Sequence, residues 1–355
     1  MSLFARLHWH IFRRVAWAVV ILTLFVAAVP GICPNPHDSA FQTLGHARHY
    51  LFDFAGWEIH ALSDKALNAL VAPQRYMDEG RQTQIVRRYF QLVNEIHRLE
   101  AQVETIYADP HIADREAASA PLRARRDELR TTQREQQALV ESIIEVQVSR
   151  LLTEYGFEVG GQALPPAAVR FTELPAMLIV SPRTHIERIG AYPLAHGLTV
   201  EQMEAIEASV DADLGVSSLA VPIGGLAVWP AMLIETGYLP SAIEAAAHEW
   251  AHHYLTFFPL GFNYDATPET ITINETVASI VGAEIGWAVL NRYYPDLAPP
   301  PPDYAPLPPA DPGLPSDSLP PAFDFRAEMR TTRIRVDELL AAGRVQEAEQ
   351  YMQAR

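Results

Sequence analysis

Apolar positions recur along this chain in several distinct rhythms. Val15 to Ile32 is a run of eighteen positions without a charged residue. At Ile85 the pattern becomes periodic. Ile85, Tyr89, Leu92, Ile96, Leu99, Val103 and Ile106 alternate steps of four and three, the heptad seam by which one helix packs on another. Asp109-Pro110 interrupts it. A second helix is expected from about Pro121 to Tyr155, apolar at Leu122, Leu129, Leu139, Ile143, Val146 and Leu151 but polar in its middle at Gln133, Gln136 and Gln137. The two form an antiparallel hairpin over 81–155, stopped by Gly156, Gly160 and Gly161. It is a rigid spacer, a self-association seam or an arm for a protein partner.

From 164 to 240 the runs shorten and become strand-like. Val169–Thr172 and Ala176–Val180 are bounded by prolines. Leu219–Ile223 and Leu226–Ile234 read as a hairpin around Gly224-Gly225, and Pro230 places the second run at a sheet edge, because proline cannot donate to a ladder. Thr199 with Gln202 opens a short helix through a capping box. Helical periodicity returns after Ser241-Ala-Ile-Glu244, a second capping box, and again from about Asn274. Twelve prolines between Pro295 and Pro321 then mark an extended linker. Residues 322–355 read as two short helices separated at Gly343.

The first apolar run changes the picture of where the protein works. Eighteen helical residues span about 27 Å, close to a hydrocarbon core of about 30 Å. Arg6, Arg13 and Arg14 precede it, and the next charge after it is Asp38. The positive-inside rule makes it a single-pass anchor with the N-terminus in the cytoplasm and the rest outside. A cleaved signal peptide is the alternative.

Charge narrows the class of partner. The chain carries a net charge of −16, and residues 160–325 contribute nineteen acidic against four basic groups. Nucleic-acid binding needs a basic footprint and is not expected. The single cysteine, Cys33, excludes a disulfide framework or a cysteine metal cluster. Lys65 is the only lysine beside 26 arginines, which reads as compositional bias.

Within the acidic segment lies His248-Glu249-Trp250-Ala251-His252. With 13 histidines in the chain, H-E-x-x-H is expected by chance only about 0.04 times. Residues i and i+4 of a helix share a face, so both imidazoles can address one Zn²⁺, and Glu249 beside them can accept a proton from water. Catalytic zinc takes three protein ligands. Glu275, twenty-three residues after His252, fits an antiparallel return helix. Glu284 is the competing acid, about 13.5 Å further along the same helix. His253 is a weaker ligand candidate because it turns away from the face of His252.

His248-Glu249-x-x-His252 followed by Asn274-Glu275-Thr-Val-Ala resembles the Glu-zincin metallopeptidases, the thermolysin-like and aminopeptidase-like enzymes. The phrase Ile-Asn-Glu-Thr-Val-Ala-Ser is similar to a motif of bacterial membrane-associated aminopeptidases. The resemblance covers about residues 219–290. It implies zinc held by His248, His252 and Glu275, Glu249 as general base, and an edge strand binding extended peptide, which places Val228 and Trp229 at the substrate. Where thermolysin-like enzymes carry an aspartate to orient a histidine, this chain has Ser279, a hydrogen-bonding substitute without charge. The resemblance also implies a Tyr or His that stabilises the developing oxyanion, for which Tyr264, Tyr293, Tyr294 and His196 are the candidates. An aminopeptidase also needs an acid for the substrate amine, and Glu235 at the end of that strand is the candidate.

The expected architecture is α+β and helix-rich: an anchor over 1–36, a helical connector over 37–80, the hairpin over 81–155, a zincin-like domain with a small mixed sheet and the H-E-x-x-H helix over 160–294, the linker over 295–321 and the terminal helices. The expected function is zinc-dependent peptide hydrolysis at a membrane. A scaffold protein with structural zinc and a zinc hydrolase of a non-peptide amide are the alternatives.

Overall fold

The computed structural model describes residues 38–300 and 324–355. The N-terminal apolar run and most of the proline-rich linker lie outside the described residues. Four helices come first: α1 (Ser39–Ala47), α2 (Phe54–Val71), α3 (Glu79–Ala108) and α4 (Arg115–Glu154). The strands β1 (Glu158–Val159) and β2 (Gln162–Ala163) form a small ribbon. They are followed by β3 (Val169–Thr172), β4 (Ala176–Pro182), β5 (Gly190–Leu194), α5 (Val200–Leu214), β6 (Val216–Pro222), β7 (Gly225–Leu226) and β8 (Ala231–Ile234). The chain then returns to helix in α6 (Leu239–Leu255), the short α7 (Pro259–Phe262), α8 (Pro268–Tyr293), α9 (Phe325–Ala341) and α10 (Val345–Ala354). The protein is helix-rich with small sheets, as its patterning predicts.

The expected hairpin α3–α4 is present, but its seam is wider than a heptad stripe. In α3 the buried apolar positions are Val86, Tyr89, Phe90, Val93 and Ile96, while Ile85, Leu92 and Leu99 are only partly covered. The reason is that α3 packs on more than its partner helix. Val86 to Val93 and Val140 to Leu152 join Phe171, Leu233, Ile243, Trp250 and Ile285 in one core. The base of the hairpin is therefore part of the domain that holds the motif helix, and the expected division at 155–160 does not separate two cores. The α4 helix also starts earlier than expected, at Arg115, with Asp114 as its cap, and Val146 is exposed.

The polar middle of α4 has a specific role. Gln137, Glu141 and Glu145 lie one turn apart on one face. Gln137 Nε2 donates to the Phe171 carbonyl (2.6 Å), while Glu141 Oε1 and Glu145 Oε1 accept from the backbone N–H of Phe171 and Val169, each at 2.9 Å. These side chains complete the outer edge of β3, whose other edge pairs with β8. Buried backbone groups must find partners, and here a helix face supplies them.

The expected hairpin of Leu219–Ile223 with Leu226–Ile234 is not formed. The first run belongs to β6, which pairs antiparallel with β4 over Ala176↔Pro222 to Pro182↔Val216. With β5, β4 and β6 enclose a second core of Leu178, Val180, Leu194, Ile206 and Val210, beside α1 and α5. The second run breaks at Pro230. Its C-terminal half, β8, is the central strand of the order β3–β8–β7, parallel to β3 and antiparallel to β7. With the outer edge of β3 covered by α4, the other edge of this sheet is β7.

Candidate metal centre and cleft

The motif helix starts two residues before its expected capping box. Tyr238 is its N-cap and Pro240 lies in its first turn, where a missing N–H costs nothing. Trp250 anchors it. The indole is buried, stacks on Tyr254 and donates to the Pro165 carbonyl at 2.7 Å. The partner helix α8 also starts early. Thr267 caps it and Pro268 opens it, so Asn274 and Glu275 stand in its second turn and not at its beginning.

Two glycines on α8 set the distance between these helices. A Cβ at Gly282 would lie 3.1 Å from the Glu244 carbonyl oxygen and from His248 Cβ, and one at Gly286 would lie 3.1 Å from Glu244 Cα. The backbones approach closely because nothing intervenes. The G-x-x-x-G spacing is the signal that predicts such an approach.

This packing brings His248, His252 and Glu275 together. One ligand atom from each lies within 4.8 Å of the others, and the group could hold a metal ion. The Nε2 atoms of the histidines are 3.1 Å apart, and each is 3.6 Å from a Glu275 carboxylate oxygen. Ligands at 2.0–2.1 Å in a tetrahedron lie about 3.3–3.4 Å from one another, so the donor set and its spacing fit such an ion. Glu284 is exposed and outside the group.

Asn274 orients the centre. Its Nδ2 donates to the Leu260 carbonyl at 3.3 Å, which turns its Oδ1 toward His252. His252 Nδ1–H donates to that oxygen at 2.7 Å. The Nε2 lone pair of His252 is thereby left facing His248 and Glu275. The expected orienting residue, Ser279, is exposed. Asn274 was visible in the sequence only as part of the motif phrase, and its role depends on the loop carbonyl of Leu260.

The cluster opens onto a cleft of about 790 Å³ between β7 and the two helices. Glu249 lines it and is 7% exposed. Burial, with a smaller contribution from the Glu275 charge, pushes its carboxyl up to about 8. A Cβ at Gly225 would fall 2.2 Å from Glu249 Oε1, so the bare glycine of β7 makes room for this carboxyl. His248 is pushed below its ordinary value by burial and then by the neighbouring His252.

Among the oxyanion candidates only Tyr264 lines the cleft. Its hydroxyl donates to Glu275 Oε1 at 2.7 Å, and burial with that hydrogen bond pushes its pKa up to about 12. Tyr293 lies about 27 Å along α8 from Glu275, under the Arg292 guanidinium. Tyr294 is buried and donates to Gln147 Oε1 at 3.0 Å. His196 faces Glu173 in a separate cavity. The substrate candidates are also displaced. Val228 and Trp229 sit in the loop between β7 and β8. The Val228 carbonyl accepts from His253 Nε2–H at 2.8 Å, and Trp229 Nε1 donates to the Pro166 carbonyl at 3.2 Å. Glu235 turns away from the cleft into an ionic cluster with Arg130, Gln133 and His97. From this region Gly224 to Ala227, Leu233, Ile234 and Thr236 line the cleft, with Ser241, Ala242, Glu244 and Ala245 on α6.

No protein-family profile, curated protein or solved structure matches the chain. Among the described residues, α8 is long and apolar enough to cross a membrane by length and composition, yet it packs on α6 and carries Glu275, as a core helix does.

Proposed function

We propose that this chain is a zinc-dependent peptidase of the Glu-zincin kind, held at a membrane by its N-terminal apolar run with the cleft on the extracytoplasmic side. The observation that carries the reading is the convergence of His248, His252 and Glu275 on one point of a cleft whose wall contains Glu249. Two imidazoles and a carboxylate suit zinc, and a bound zinc ion supplies a Lewis acid that polarises a carbonyl and makes water nucleophilic near neutral pH. The chain's own groups do the rest. Asn274 and Tyr264 hold His252 and Glu275 in place. Glu249, buried in the cleft wall beside the three ligands, takes a proton from the attacking water and passes it to the leaving amine. The outer edge of β7 offers main-chain groups to an extended peptide. Structural zinc sites are closed, whereas the Glu275 side chain is 43% exposed, which favours chemistry over scaffolding.

The test pairs metal analysis of the purified protein with hydrolysis of a peptide panel. Glu249→Gln should retain zinc and lose turnover by about 10²–10⁴-fold. Digestion at the wild-type rate by that variant would sink the mechanism, and a panel of non-peptide amides beside the peptides separates the two hydrolase readings.

A further inference from the structure

We infer that the outward face of α2 lies on the lipid bilayer, as a second membrane contact beside the N-terminal apolar run. The inference rests on the membrane half of the proposed function and goes beyond it by naming the surface that meets lipid. A helix on the surface of a globular protein turns its apolar stripe inward and its charges to water. The α2 helix does the reverse. Its charged residues, Glu58, Asp64 and Lys65, are all partly buried on the side toward the protein. Lys65 reaches Glu141 and Glu145, and Asp64 Oδ2 is 2.8 Å from the Arg170 guanidinium. Ile59, Leu67, Leu70 and Val71 point outward, each between 63% and 83% exposed. No Asp, Glu, Lys or Arg of the helix is among its exposed residues. Tyr76, just past the helix, is exposed as well.

Position in the chain, width and charge together assign this face to lipid. The apolar run ends at Ile32, seven residues before α1 begins at Ser39. Seven residues reach at most about 25 Å, so the first described helices stand near the surface from which such a run emerges. At 100° per residue, the uncharged arc from Leu62 through Ile59 and Leu70 to Val71 covers about half of the helix circumference. A seam for a partner helix is a narrow stripe flanked by charges, whereas lipid wets a whole face. The acidic excess of the chain lies in residues 160–325, so this face does not repel an anionic headgroup. A tyrosine at its end suits the interfacial layer. The contact also bears on the cleft. Lys65 ties α2 to α4, Asp64 ties it to Arg170 on β3, and β3 pairs with β8 beside β7. A bilayer under α2 therefore fixes the orientation of the sheet whose edge lines the cleft.

The experiment uses the full-length chain in phosphatidylcholine vesicles that carry nitroxide groups on their acyl chains. Cys33 is the only cysteine, and in the wild type an NBD fluorophore on it reports insertion of the apolar run. On a Cys33→Ser background the same label is placed by Leu70→Cys and by Ile59→Cys on the outward face, and by Gln102→Cys on α3. All three positions are exposed, so the substitutions leave the packed core alone. The labels at 70 and 59 should lose fluorescence to the nitroxides about as strongly as the label at Cys33, and the label at 102 should not. The loss should persist in high salt, because apolar area and not charge drives it. Quenching at Cys33 without quenching at 70 and 59 overturns the inference and leaves the anchor standing. So does energy transfer between copies labelled at 70 in place of quenching, which assigns the face to a second copy. Equal quenching at 102 overturns it too, because no face is then selected. Absence of quenching at all four positions overturns both the inference and the anchor.

Discussion

Glu141 on α4 is as deeply covered as Glu249 on α6 and Glu145 is partly buried, yet the protein surrounds them differently. Lys65 Nζ reaches both α4 carboxylates, at 2.8 and 2.7 Å, and the backbone N–H groups of β3 bind them from the other side. Burial raises the Glu145 pKa, while Lys65 and the Val169 N–H oppose the rise. Burial would lower the Lys65 pKa, but the two glutamates outweigh it and raise it. The result is a closed cluster that joins α2, α4 and β3. Among the described residues, no lysine or arginine lines the cleft beside Glu249. Its carboxyl is left with a raised pKa beside an open cleft. The first is a satisfied buried cluster, in which loss of one partner would strand a charge, and the second is a candidate functional site.

The sharpest way to break this contrast is to open the closed cluster. Lys65→Met should cost about 3–5 kcal/mol of stability, because it strands buried carboxylates, and should leave zinc content unchanged. The sign with pH follows from the raised Glu145 pKa. A carboxyl whose folded pKa exceeds its unfolded value favours the folded state below the unfolded pKa, and this contribution is lost as pH rises through the folded value. The variant should therefore lose more stability at pH 8 than at pH 5 in thermal unfolding. An unaltered unfolding midpoint at both pH values would show that the cluster is not structural.

A smaller effect is expected from crowding the open site. Gly225→Ala puts a methyl carbon 2.2 Å from Glu249 Oε1, so the carboxyl must move. Turnover should fall by up to about 100-fold, as for other small displacements of catalytic groups, with zinc retained. Unchanged kcat would mean that this carboxyl is not positioned by β7. The smallest effect tests orientation alone. Asn274→Ala frees the His252 ring and should weaken zinc binding about tenfold, measured by chelator competition. Ser279→Ala is the control, since Ser279 is exposed.

Much of this protein could be read from sequence because local chemistry decided it. The helical identity of 81–155, the capping box at Thr199 and Gln202, the break at Gly343 and the two histidines one turn apart each depend on a few neighbouring residues. Helix rise also shows that Glu275 and Glu284 cannot both meet those histidines, whereas the packing of α8 on α6 decides for Glu275. Pairing between distant segments was not legible. Leu219–Ile223 and Leu226–Ile234 look like strands joined by a Gly-Gly turn, but strand register is chosen by the faces available elsewhere, and β4 and β3 offered better ones. Lys65 looks like a compositional remnant until α2 is laid on α4. In the sequence Glu235 is the candidate acid for a substrate amine and Glu244 only the end of a capping box. Only the packed molecule assigns one to an arginine and the other to the cleft, because that choice depends on which side chains from remote elements arrive within hydrogen-bonding distance.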